Sequence, residues 1–179
     1  MRKCWVLCAL AFVNFGWSNP APRWGMVDMQ AVFSASLAGK DIDEQMKVKK
    51  DQYQEEIAKQ EAALKKNEAL LKSKDTKSKE YASQVKVFQE DMGLLQQKVQ
   101  LYTESLERAY REAMTSLEKE VLRSVESVRK SENIAVVFAK EKILGFDPHL
   151  IRDLTDLVKK TLNKNCDRMP LVFQDKAAL

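Results

Sequence analysis

The chain has 179 residues, 45% of them hydrophobic and 31% charged, with five glycines and four prolines. So few breakers beside so much Lys, Glu, Gln, Ala and Leu predict long helices in one domain, or in a small domain with an appendage. The formal net charge of +4 includes Arg2 and Lys3, which lie in a segment expected to be removed, leaving +4 less two, or +2; that charge, with a pI of about 8.9, is too mild for a nucleic-acid binder, which concentrates basic residues in a patch.

Residues 1–18 read as a secretory signal peptide, which implies export. Met1-Arg2-Lys3 is basic, and Cys4 to Val13 is an apolar run within the usual length of about 7–15 residues. Cleavage after Ser18 fits small residues at Gly16 and Ser18; a cut after Ala21 would place Pro22 next. The alternative is a membrane anchor, but Asn14, Ser18 and Pro20 interrupt the run well short of the about 20 apolar residues that a span needs. Cys4 and Cys8 leave with this segment, so Cys166 has no intrachain partner. It either pairs between chains or serves as a small apolar residue in a tail.

Trp24 to Met29 is short, apolar and bounded by Pro22, a candidate strand. One or two helical turns follow over Gln30 to Leu37. Gly39 is expected to break them, and Asp41 to cap a new helix. That helix runs to about Lys72 on an imperfect seam of Met46, Tyr53, Ile57, Leu64 and Leu71, with Lys50, Gln60 and Asn67 at other seam positions. Ser73 to Lys79 holds no large apolar residue, and its Ser, Asp and Thr compete with helix, so the chain is expected to reverse there. One continuous helix is the alternative.

From Tyr81 the pattern is clearest. Tyr81, Val85, Phe88, Met92, Leu95, Val99, Tyr102, Leu106, Ala109 and Ala113 alternate in steps of four and three, the seam of a left-handed coiled coil. Leu117, Val121, Val125 and Val128 continue it to about Lys130. At 1.5 Å per residue such a helix spans roughly 75 Å and must project beyond any compact body. Ile134 to Ala139 is β-branched and apolar, a buried strand; Lys140-Glu141-Lys142 is a turn; Ile143 to Phe146 is a third strand, expected to close a hairpin. Asp147-Pro148 would then start a helix to Lys164, with Leu150, Ile151, Leu154, Leu157, Val158 and Leu162 on one face. The expected fold is mainly α with a small β component: a long antiparallel coiled-coil arm (41–130, tip near 73–79) on a small α/β body (24–40 and 131–164), with a patternless tail (165–179). Three short strands bury little alone, so oligomerisation is expected to complete the body.

No constellation points to catalysis, metal or cofactor. His149 is the one histidine, no Cys/His cluster has zinc spacing, and no glycine-rich phosphate loop occurs. Acidic residues such as Glu55, Glu61 and Glu104 precede Lys59, Lys65 and Arg108 by four, the spacing of surface pairs on a solvated helix. One charge feature stands out. Lys65, Lys66, Lys72, Lys74, Lys77, Lys79 and Lys86 against Glu68, Asp75 and Glu80 give seven minus three, or +4, at the expected tip. Such a tip suits anionic lipid headgroups or an acidic partner, or is an ordinary solvated turn. Apolar groups outside the seam, such as Val48, Val87, Leu94 and Tyr110, could line a cavity between several arms and bind unfolded apolar segments weakly.

Gly25-Met26-Val27-Asp28-Met29-Gln30-Ala31-Val32-Phe33 resembles the opening of the Skp/OmpH family of periplasmic chaperones. Ile134 to Phe138 and Asp147 to Leu162, with Ile151-Arg152-Asp153-Leu154-Thr155, resemble that family's closing strand and helix, so the resemblance covers about residues 24–164. It implies a jellyfish-shaped homotrimer whose body strands, here carrying Val27, Met29, Ile134, Val136 and Phe138, form a small barrel under three arms. It also implies an ATP-independent holdase that encloses unfolded outer-membrane β-barrel proteins and prevents their aggregation, with basic arm surfaces that contact lipid or lipopolysaccharide. The alternative is a coiled-coil tether or spacer of the cell envelope. The tail after Lys164 departs from the family's ending.

Overall fold

The computed structural model describes residues 23–73 and 78–174. The expected signal peptide, and Lys74 and Lys77 of the tip, lie outside the described residues. The elements run β1 (Trp24–Val27), α1 (Met29–Ala35), α2 (Leu37–Lys72), α3 (Lys79–Ser131), β2 (Val136–Ala139), a 3-10 turn (Lys140–Lys142), β3 (Ile151–Asp153) and α4 (Thr155–Asn165). The fold is mainly helical with a small sheet and a long helical arm, as the sequence leads one to expect.

Asp28 ends β1 and starts α1: its Oδ1 accepts from Ala31 N–H at 2.8 Å, and that backbone hydrogen bond above all holds its carboxyl below the usual range. Ser36 then caps α2, its Oγ accepting from Gly39 N–H at 3.0 Å. Gly39 therefore does not break a helix, and Asp41 is not the cap. Gly39 lies buried in the first turn of α2, where an added Cβ would stand 1.9 Å from the Phe33 carbonyl oxygen. The glycine allows two consecutive helices to meet with almost no linker.

Helix α2 has 36 residues and α3 has 53, about 54 Å and 80 Å at 1.5 Å per residue. They pair antiparallel: Tyr53 meets Tyr102 while Glu56, further out, meets Lys98. The whole arm is inserted between β1 and β2.

The sheet differs from the expected hairpin. Its order is β2-β1-β3 and both pairings are parallel, Trp24 opposite Val136 on one side and Ile151 on the other. The third strand is Ile151–Asp153, not Ile143–Phe146, whose Leu144 is fully exposed. Asp147 caps only a single turn: its Oδ1 accepts from His149 N–H and its carbonyl from the amides of Leu150 and Ile151. The chain then extends, Leu154 N–H donates to Met26 O at 2.8 Å, and α4 begins at Thr155 with Asp153 Oδ1 accepting its amide. Leu150 and Ile151 share a helical spacing with Leu154 and Leu157 but belong to the turn and the strand.

One core joins body and arm root. Val27, Val32, Ile42, Leu117, Val121, Ile134, Leu154, Val158 and Leu162 are almost wholly buried in it. At the far end of α3, Glu126 accepts from Arg129 through both carboxylate oxygens, and Arg129 Nη1 donates to Ile134 O, tying the helix end to the start of β2. The Arg129 hydrogen bond, followed by those of Lys130, lowers the Glu126 pKa to about 2.

Candidate functional site

The arm changes character along its length. From Tyr102 inward, α3 buries Tyr102, Ser105, Ala109, Ala113, Leu117, Val121, Ser124 and Val128. Further out the same face is looser: Tyr81, Val85, Phe88 and Leu95 are half-buried, while Met92 and Val99 are 40% and 39% exposed. Leu106 is half-buried too, because the buried row passes through Ser105 instead. On α2 only Tyr53 and Leu64 are buried beyond the root, in keeping with its polar seam positions.

Tyr53 and Tyr102 mark the transition. Their rings stack at 3.7 Å and 6°. Tyr53 Oη lies 3.4 Å from Ser105 Oγ, and Tyr102 O–H donates to Glu56, which also pairs with Lys98 at 3.2 Å. The Tyr102 hydrogen bond first, then that of Lys98, holds the Glu56 carboxyl below its ordinary range.

Beyond this junction the arm carries apolar side chains on its surface. Val87, Leu94 and Leu101 recur every seven residues, hence along one face of α3, and are 55%, 55% and 36% exposed. Leu70 is exposed there as well, and on the root side of the junction Val48 and Tyr110 are exposed too. Lys65, Lys66, Lys72, Lys79 and Lys86 are exposed, Lys72 paired with Glu68 at 2.6 Å and Lys86 with Glu90 at 3.8 Å. Exposed pairs of this kind contribute little to stability.

In the body, the structure separates the named strand residues. Val27 and Ile134 are 1% and 2% exposed in the protomer's own core. Ile134 precedes β2, and Met29 is not in the expected strand but opens α1, because Asp28 caps that helix, and packs partly against the core. Gly25 faces Leu154 and Ile134, so Trp24 and its register partner Val136 face away from the helices, as does Phe138. Trp24 and Phe138 meet edge to face at 6.3 Å. Phe146 and Leu150 line a hollow with Trp24 and the buried Met26 on this side of the sheet, leaving an apolar surface there.

The family model for outer membrane protein (OmpH-like) matches residues 23–162, the body and the whole arm together. The chain belongs to the OmpH-like family. A solved OmpH-like structure, that of a candidate outer membrane chaperone from Caulobacter crescentus CB15, superposes with a TM-score of 0.78 at 20% identity, covering 88% of this chain and 92% of that one. No curated protein matches the sequence. The OmpH-like match ends at Leu162. Past α4, residues 166–174 form an extended strap on the arm root, where the sequence leads one to expect a patternless tail. Met169 is 8% exposed, and Leu171 and Phe173 are half-buried. Their period-two spacing is the signal in the sequence that marks the strap.

Proposed function

We propose that this OmpH-like protein is an ATP-independent periplasmic holdase that encloses unfolded outer-membrane β-barrel proteins between the arms of a homotrimer. A chaperone role in general follows from the family. The observation that carries the finer reading is the distal arm: the outer part of α3, from Lys79 to Leu101, about 35 Å of helix, bears Val87, Leu94 and Leu101 on its surface among charged residues. Such a surface offers many weak apolar contacts and no single pocket, which suits a client without fixed shape. The half-exposed Trp24, Val136 and Phe138 on the sheet face turned away from the helices support assembly, because exposed apolar surface of this kind marks an interaction site. The signal-like residues 1–18 support export.

The direct test is light scattering of a denatured β-barrel protein diluted into buffer with the mature chain and no nucleotide. Suppression at near-stoichiometric trimer is expected; aggregation that proceeds unchanged across a range of salt overturns the reading. The lysine-rich tip is proposed to meet anionic lipid or lipopolysaccharide. Reversing charge at Lys72, Lys74, Lys77 and Lys79 is expected to weaken flotation with anionic vesicles by about tenfold or more, and to leave sedimentation of the assembly unchanged. Equal flotation of variant and parent would remove the tip from this role.

A further inference from the structure

The strap is held in a way that suits more than its own sequence. From the end of α4 it climbs the arm beside α2, meeting Asp41, Gln45 and Lys49, one face of that helix at steps of four. Met169 N–H donates to Asp41 Oδ2 at 2.9 Å. Gln45 Nε2 donates to Met169 O at 3.0 Å, and Gln45 Oε1 accepts from Leu171 N–H at 3.2 Å. Gln174 N–H donates to Ser105 Oγ across the groove on α3 at 2.9 Å. These four bonds address strap backbone; a fifth, from Arg108 Nη1 to Gln174 Oε1, addresses a side chain at the strap's end. The side-chain amide of Gln45 engages a carbonyl and the amide two residues on, as the backbone of a neighbouring strand does. Pro170, which has no N–H, sits between the two clamped residues.

The strap side chains alternate. Met169, Leu171 and Phe173 turn toward the groove, while Pro170 and Val172 face solvent, Val172 at 68% exposure. Lys49 Nζ stands 5.5 Å from the Phe173 ring and 4.8 Å from that of Tyr53. Small residues on α3, Ser105, Ala109 and Ala113, leave the groove its room.

We propose that the groove between α2 and α3 at the arm root is a binding site for extended segments with apolar residues at every second position, and that residues 167–174 are its resident internal ligand. This rests on the holdase reading and deepens it. Backbone bonds supply affinity for any extended segment, and pockets for alternate side chains supply selectivity, the division of labour seen in strand addition. Strands of membrane β-barrels alternate apolar and polar side chains in the same way. Tethering keeps the strap at an effective concentration on the order of millimolar, so a stray peptide does not displace it. A client strand held between the arms has a comparable local concentration and exchanges with it.

The test uses a fluorescent peptide of the sequence at 167–174, read by anisotropy against the mature chain and its L171D/F173D variant. The variant is expected to bind the peptide at least about tenfold more tightly than the parent, since its own strap no longer competes. Adding Gln45→Ala to the variant is expected to abolish that binding, and a peptide with aspartate at the Leu171 and Phe173 positions should not bind. In the unaltered chain, addition of a denatured β-barrel client is expected to lower hydrogen-exchange protection of the Leu171 and Gln174 amides. This second measurement decides the matter if the variant does not fold. A folded variant that binds no peptide, or protection unchanged by client, overturns the inference. If aggregation is still suppressed, the holdase reading stands without this site; if peptide binds but aggregation is not suppressed, the site stands and the holdase reading falls.

Discussion

Replacing Trp24 and Phe138 together by aspartate is expected to convert the proposed homotrimer to monomers in sedimentation, with a loss of the proposed aggregation suppression of at least about tenfold. Both side chains point away from the protomer core, at 43% and 41% exposure, and touch each other edge to face. In a monomer they can be exchanged for charge at little cost, so helical circular dichroism and the unfolding midpoint of the protomer should persist. In an assembly that buries this face, two carboxylates would lack partners, and desolvating an unpaired charge costs far more than the apolar contact contributed. Sedimentation identical to that of the parent would show that this face is not the interface. Val27→Asp provides the contrast: Val27 is 1% exposed within the protomer, so the chain itself should fail to fold.

Gly39→Ala is expected to destabilise the protein by about 3 kcal/mol, the upper part of the range for forced overpacking. At about 2–4 °C per kcal/mol for a chain of this size, the melting temperature should drop by about 6–12 °C. A Cβ there meets the Phe33 carbonyl oxygen at 1.9 Å, which is backbone and cannot swing aside, and Ser36 Oγ at 3.0 Å. Relieving the clash pulls α1 from α2 and breaks the Ser36 cap. Gly93→Ala should act in the opposite sense. A Cβ at Gly93 meets nothing within 4 Å, and alanine in mid-helix gains about 0.5–1 kcal/mol over glycine. Urea midpoints of the two variants check both signs; a Gly39→Ala midpoint equal to the parent's would refute the packing account.

The contrast between these two glycines shows where reading from sequence stops. Glycine after Leu37-Ala38 looks like a helix end by local preference, yet the close approach that demands it exists only once α1 has turned back. The same limit explains the sheet. Parallel strands β1, β2 and β3 are distant in sequence, so nothing local announces their pairing, and the nearby Ile143 to Phe146 makes a hairpin look natural. Ile151 and Leu150 carry helical spacing with Leu154, but pairing with β1 draws Ile151 into a strand and the Asp147 turn holds Leu150. On the arm, Tyr81 to Val99 repeat as faithfully as the inner seam. They remain only half-buried because α2 opposes them with a polar seam, a property of the partner helix.

The long helices, their reversal and the early strand β1 follow from the amino-acid sequence by itself. Periodicity and the scarcity of breakers act within a few residues of one another and need no partner. The parallel sheet, the tight junction at Gly39, the division between the buried and open parts of the arm, and the docking of the strap at 166–174 on the arm root were decided by tertiary structure. Each depends on a surface formed by segments far apart in the chain. The strap shows this most clearly: its alternating Met169, Leu171 and Phe173 acquire a role only where Gln45 and Ser105, more than sixty residues away in the chain, come to face it.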